Sequence, residues 1–136
     1  MIKCRVAVLG ESVVRDVSTN NISVFNILER VAAHKFPIAI PKVVALFMLT
    51  REGGDSEAPE CLMGITISGE ELNRYPINVN FQGKLLHRMI VEVGGLVIPK
   101  PGIMRTSIII EGQEAGSWEL EVAQIEKPKI QHVDQG

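Results

Sequence analysis

Three histidines, two cysteines and a few carboxylate pairs are the groups in this chain that could carry a reaction. His87 alternates with Leu85, Met89 and Val91 on one face of an apolar run, a core or rim position rather than a ligand's. His34 stands beside Lys35 in a loop, and His132 lies near the C-terminal end. No His-x-His or Glu-x-x-His spacing accompanies them, so no zinc-type ligand set is expected. A nucleophilic Ser, Thr or Cys needs a neighbouring base. Gly10-Glu11-Ser12 is not a Gly-x-Ser-x-Gly elbow, and neither Cys4 nor Cys61 sits in a motif. Glu70-Glu71, or Glu119 with Glu121, could share acid–base work. Glu119 and Glu121 lie on the polar side of an alternating strand, where charge is ordinary. Gly53-Gly54 and Gly94-Gly95 lack the flanking residues of a phosphate cradle. No catalytic, cofactor-binding or metal residues, and no cofactor, are therefore expected.

The surroundings of these residues exclude further classes. Net charge is −2, where a nucleic-acid binder shows a basic excess. Ligand stacking needs exposed aromatics, but Trp118 is expected to point inward and Tyr75 is the only tyrosine. The longest apolar run, Val43 to Leu49, is far short of the ~20 residues of a membrane helix. No apolar leader follows Met1-Ile2-Lys3. A cytoplasmic location and two reduced, buried thiols are the corresponding expectations.

The elements that position these groups read as strands. The apolar residues are mainly Val and Ile, stiff at χ1 and suited to a pleated surface, and aromatics are 4%. About eight strands are predicted: Lys3 to Leu9, with Cys4, Val6 and Val8 on one face; Ile22 to Val31; Val43 to Thr50; Cys61 to Ser68; Ile77 to Phe81; Leu85 to Val93, with a short Leu96 to Ile98; Ile103 to Ile110; and Ser117 to Ile125. Pro37 and Pro41 make Phe36 to Pro41 an extended lead-in or an edge. Arg51 to Glu60 is a loop, and Ser68 could cap a helical turn over 69–73. In the last strand Trp118, Leu120 and Val122 alternate with Glu119 and Glu121, one face dry and one wet. Short strands separated by turn residues predict an all-β fold: an antiparallel two-sheet β-sandwich, Ig-like or jelly-roll-like, as one domain over 1–125 with a flexible tail over 126–136.

The run Ile22-Ser23-Val24-Phe25-Asn26-Ile27-Leu28-Glu29-Arg30-Val31, followed by Phe36-Pro37 and Ile40-Pro41, resembles a family of small bacterial domains of unknown function. The closing hairpin of that family is matched by Pro101-Gly102-Ile103-Met104-Arg105-Thr106-Ser107-Ile108 with Gly112. Asn26 replaces a small or apolar residue of the pattern, and Met104 replaces an aromatic. The resemblance covers roughly Cys4 to Ile125. It implies a sandwich and no activity.

What the residues leave open is association. On Val43 to Leu49 both faces are apolar. On Ile103 to Ile110, Met104, Thr106, Ile108 and Ile110 make the better core face, which turns Ile103 and Ile109 outward. A sandwich buries one face of each sheet, so the other must be covered by a loop or by another subunit. Val43, Phe47, Ile103 and Ile109 form the candidate interaction surface. The function expected is a non-catalytic structural or protein-interaction module, with a homo-oligomer or protein partner and neither nucleic acid nor membrane. The alternatives are a small-ligand or carbohydrate-binding sandwich and, behind it, a hydrolytic enzyme.

Overall fold

A computed structural model describes residues 1–126. Nine strands follow one another: β1 (Lys3–Arg15), β2 (Ile22–Ile27), β3 (Arg30–Ala33), β4 (Ile38–Thr50), β5 (Cys61–Ile67), β6 (Glu70–Ile77), β7 (Leu86–Ile98), β8 (Gly102–Ile110) and β9 (Gln113–Gln124). They form a four-stranded sheet, β2-β1-β4-β7, and a five-stranded sheet, β3-β9-β8-β5-β6. The fold is an all-β sandwich. Every pair is antiparallel except β3 with β9, which runs parallel, so the sheets are not purely antiparallel as expected. Among the described residues no helix is long and apolar enough to cross a membrane. The tail expected over 126–136 lies, beyond Glu126, outside the described residues.

The core is the layer between the sheets. Leu9, Val43, Ala45, Phe47, Leu49, Met89 and Val93 meet Met63, Ile65, Ile67, Met104, Ile108, Leu120 and Val122. On β4 the odd-numbered residues from Val43 onward point inward. Val43 and Phe47 are 0% and 1% exposed. They are core residues and not interaction surface, which corrects the expectation. On β8 Met104, Thr106 and Ile108 are buried, while Ile103 is 48% exposed and Ile109 is half-buried.

Several local expectations need correction, each with a physical cause. A bulge between Cys4 and Val6 shifts the register of β1. Cys4 therefore packs against the core, whereas Val6 and Val8 pair with Met48 and Leu46 on the outward side. Ser68 and Gly69 both take positive φ, 48° and 84°, and close a tight β5–β6 hairpin in place of a helical turn. Glu111 and Gly112, at 50° and 80°, do the same between β8 and β9. The run Ile22 to Val31 is two strands, and the chain changes sheets between them. Trp118 Nε1 donates to the Leu28 carbonyl at 2.7 Å, and the Glu121 amide donates to the Glu29 carbonyl, fastening the crossover to β9. Of the segment expected as a strand over 77–81, Ile77 ends β6 and the rest is a loop, yet it buries Val79 and Phe81. Leu96 to Ile98 prolongs β7 and pairs with Ile38 to Ile40.

The outward face of β4 is covered by the chain itself. Gly10 pairs with Val44, and from there β1 heads away from Met48. Yet the Asn20 carbonyl, at the tip of the β1–β2 hairpin, accepts a hydrogen bond at 2.8 Å from Arg88 Nη1, which sits on β7 opposite Met48. The hairpin must therefore double back over the sheet. Gly10 permits the bend, because a Cβ there would lie 2.7 Å from Val24 Cγ1 and 3.0 Å from the Phe25 carbonyl oxygen. Asn26 supports it with φ of 52°, a left-handed conformation that Asn tolerates well. This accounts for the Asn in the family-like run. Val44 and Leu46, on the outward side, are each only 4% exposed beneath this cover.

Candidate functional site

The outer side of β4 is buried, which leaves the sheet edges as the open features of the four-stranded sheet. β2 ends one sheet in the folded-over hairpin, and β3 is a four-residue strand. The β6 edge spans eight residues and carries Glu70, Glu71, Arg74 and Pro76, features that discourage further strand pairing. β7 differs. It is 13 residues long, and among the described residues it pairs only with β4. Leu86, Ile90 and Val97 on it are 50%, 49% and 52% exposed. A long strand with a free row of amides and carbonyls and exposed apolar side chains is a template for another strand.

A groove of about 870 Å³ opens at the start of β7, bounded by Thr19 to Asn21 of the hairpin tip, Met48, and the loop leading into β7. Asn80, Gln82, Lys84, His87 and Arg88 line it, and among the described residues no carboxylate does. The His87 ring packs on Phe81 with centroids 5.7 Å apart. Burial lowers its pKa below the ordinary imidazole value. The loop is pinned by Arg51, whose side chain is 7% exposed. Its guanidinium donates to the Lys84 carbonyl at 2.7 Å, the Asp55 carbonyl at 3.2 Å and Glu57 Oε1 at 3.3 Å, and lies over the Phe81 ring.

The His87 environment makes a pH prediction. The imidazolium is the form the fold disfavours. Above the free imidazole pKa, about 6.5, His87 leaves stability independent of pH. Below it the unfolded chain takes up the proton first, and stability falls as the pH drops through the lower folded-state value. Denaturant midpoints measured from about pH 7 down to about pH 5 should fall for the natural chain and fall less for His87→Gln.

On the outer face of the second sheet, Arg105 stands between Ile103 and Ile109 and is held by carboxylates of β9. Its Nε donates to Glu114 Oε1 at 2.9 Å, and Nη1 donates to Glu119. Ser107 Oγ also donates to Glu114. Arg105 and Ser107 hold the Glu114 carboxyl below the usual carboxylate range. These are cross-strand ion pairs on the partly exposed outer face of the sheet. Of the four surface residues expected, the structure places Ile103 and Ile109 on this strand, six residues apart, and Val43 and Phe47 in the opposite sheet, facing the core.

Cys61 is buried and Cys4 half-buried, both unbridged. Burial, then the proximity of Cys4, pushes the Cys61 thiol up to about 11, and burial also raises Cys4. Such thiols are poor nucleophiles, since the thiolate is the reactive form. A thiol reagent at neutral pH should leave Cys61 unmodified in the native chain and count two thiols after denaturation without reductant. A count of zero would mean a disulfide. Among the described residues no group of three His, Cys, Asp or Glu side chains is placed to hold a metal ion.

The sequence missed β7 as the site because strand order is a long-range property. The outward phase of Arg88, Ile90 and Glu92 follows from the inward alternation of His87, Met89 and Val91, so the residues were legible and their edge position was not.

Among solved structures, the chain is similar to part of the alkylpurine DNA glycosylase AlkC of Pseudomonas fluorescens bound to DNA containing an abasic-site analogue. The TM-score is 0.50 and the identity 10%, over 90% of this chain. The similarity spans 30% of the glycosylase's length and is one of fold. An immunoglobulin-like protein from Pseudomonas aeruginosa aligns with a TM-score of 0.43 and 15% identity, over 90% of this chain and 96% of that one. No curated protein matches the sequence. Residues 5–123 match the model of DUF6941, a family of unknown function, and the chain belongs to that family.

Proposed function

We propose that this domain is a non-catalytic protein-interaction module that offers the free edge of β7 as a docking strand. The observation that carries the proposal is the edge itself: 13 residues long, paired on one side, with three half-exposed aliphatic side chains. Main-chain hydrogen bonds along such an edge supply affinity, and alternate side chains supply selectivity. A protein is preferred as partner over nucleic acid or membrane because net charge is −2 and several basic residues, Arg105, Arg74 and Lys100 among them, are already paired with carboxylates. The two unbridged thiols support a reducing, cytoplasmic setting.

Photo-crosslinking in the native cells tests the module. A photoreactive side chain at Leu86 on the β7 edge should yield polypeptide adducts, and one at Glu71 on the β6 edge should not. Equal yields at both edges, or none at Leu86, would contradict the proposal.

A ligand-binding role is supported by a separate observation, the groove beside His87 with Lys84, Arg88 and side-chain amides but, among the described residues, no carboxylate. Its chemistry suits a small anion. Titration with inorganic phosphate, followed by the His87 ring resonances, tests this role. Saturable shifts there support it, and their absence removes it.

A further inference from the structure

The regular part of β7 is bounded at both ends. Leu85 is held by its carbonyl, which accepts from the Arg51 amide, and Gly95 breaks the extended backbone with φ of 65°. Between them Leu86 to Gly94 has Ile90 as its midpoint. Arg88, Ile90 and Glu92 all point outward, opposite Met48, Leu46 and Val44 of β4. Arg88 is the only Arg or Lys of the strand, and Glu92 its only acid.

These facts fix a register. If two β7 strands pair antiparallel about a two-fold axis at Ile90, Arg88 of each copy faces Glu92 of the other, and the Ile90 side chains meet on the axis. The inward side chains also match, with Met89 against Val91 and His87 against Val93, so the apolar layer runs on across the junction. No other two-fold register sets the strand's single base against its single acid. Both charges are available for the contact. Glu92 reaches Lys42 only at 4.0 Å, and Arg88 uses one nitrogen, Nη1, for the Asn20 carbonyl. Two-fold pairing is the commonest closed assembly of identical chains.

We infer that the strand received by β7 is β7 of a second copy of this chain, joined in the register centred on Ile90. The pairing joins the two four-stranded sheets into one of eight strands. The inference rests on the module proposal and deepens it by naming the partner.

Sedimentation equilibrium of the full chain at micromolar concentration, with circular dichroism to confirm folding, is the test. The natural chain should be a dimer. Arg88→Glu and Glu92→Arg should each set like charges opposite one another twice and weaken self-association by at least about tenfold. An equimolar mixture of the two variants should dimerise again, because each supplies the charge that the other lacks. A surface change elsewhere would give no such rescue. A monomeric natural chain, single variants that dimerise like it, or a mixture that stays monomeric would each overturn the inference. A monomer whose Leu86 position crosslinks to a different protein overturns self-pairing and leaves the module standing. A monomer without adducts overturns both.

Discussion

Replacing Phe47 by alanine is expected to cost roughly 3–5 kcal/mol of stability, the range for truncating a buried aromatic. Phe47 is 1% exposed and is set between Ala7 of β1 and Met89 of β7, facing the five-stranded sheet. Domains of this size are stable by about 5–15 kcal/mol, so the loss is a large share of the total. Ile103→Ala, at a half-exposed site on β8, should cost about 1 kcal/mol or less. Chemical denaturation of both variants measures the contrast. Equal, small effects would return Phe47 to the surface and contradict the sheet arrangement.

Arg51→Ala should be nearly as damaging, by about 2–4 kcal/mol, since hydrogen bonds to a charged group contribute about 1.5–3 kcal/mol each and this one guanidinium serves several acceptors. Two of these acceptors are backbone carbonyls, of Asp55 and Lys84, in different loops. Removing the fork unties the loop after β4 from the loop before β7. Arg51→Lys should recover less than half of the loss. An ammonium is a single point of charge and cannot reach three divergent acceptors while stacking on Phe81. Both variants should also speed amide exchange over residues 80–85. Full recovery in the lysine variant would show that charge alone, and not the fork, matters there.

How far the sequence foretold this architecture depends on the range of the signal. The β8–β9 hairpin was legible because Leu120 and Val122 alternate with Glu119 and Glu121, and the alternation reports one dry face directly. β4 was legible as a central strand because both its faces are apolar. What covers its outer face was not. The cover depends on a bend at Gly10 and Asn26 that brings the hairpin tip to Arg88, 68 residues further along the chain. The helical turn read at Ser68 failed for a local reason. Ser followed by Gly-Glu-Glu-Leu suits a helix N-terminus, but Ser68 and Gly69 suit a tight turn equally, and pairing with β5 decides between them. The break between Ile27 and Arg30 carries no Gly or Pro, so nothing in the residues announces that the chain changes sheets. The candidate surface followed the same pattern. The outward phase of Ile103 could be read from alternation, whereas the edge position of β7 depends on the order of all nine strands.

On this proposal the edge of β7 is open in the isolated chain and closed by association. Residue-resolved amide hydrogen exchange at low and at high protein concentration tests it most directly. In dilute solution alternate amides between Leu86 and Gly94 should exchange fast, while those of β4, between two strands, stay protected. At high concentration the same β7 amides should become protected, and those of the β6 edge should not change. β7 amides already as slow as those of β4 in dilute solution, or unchanged by concentration, would show that the edge is not where the chain associates.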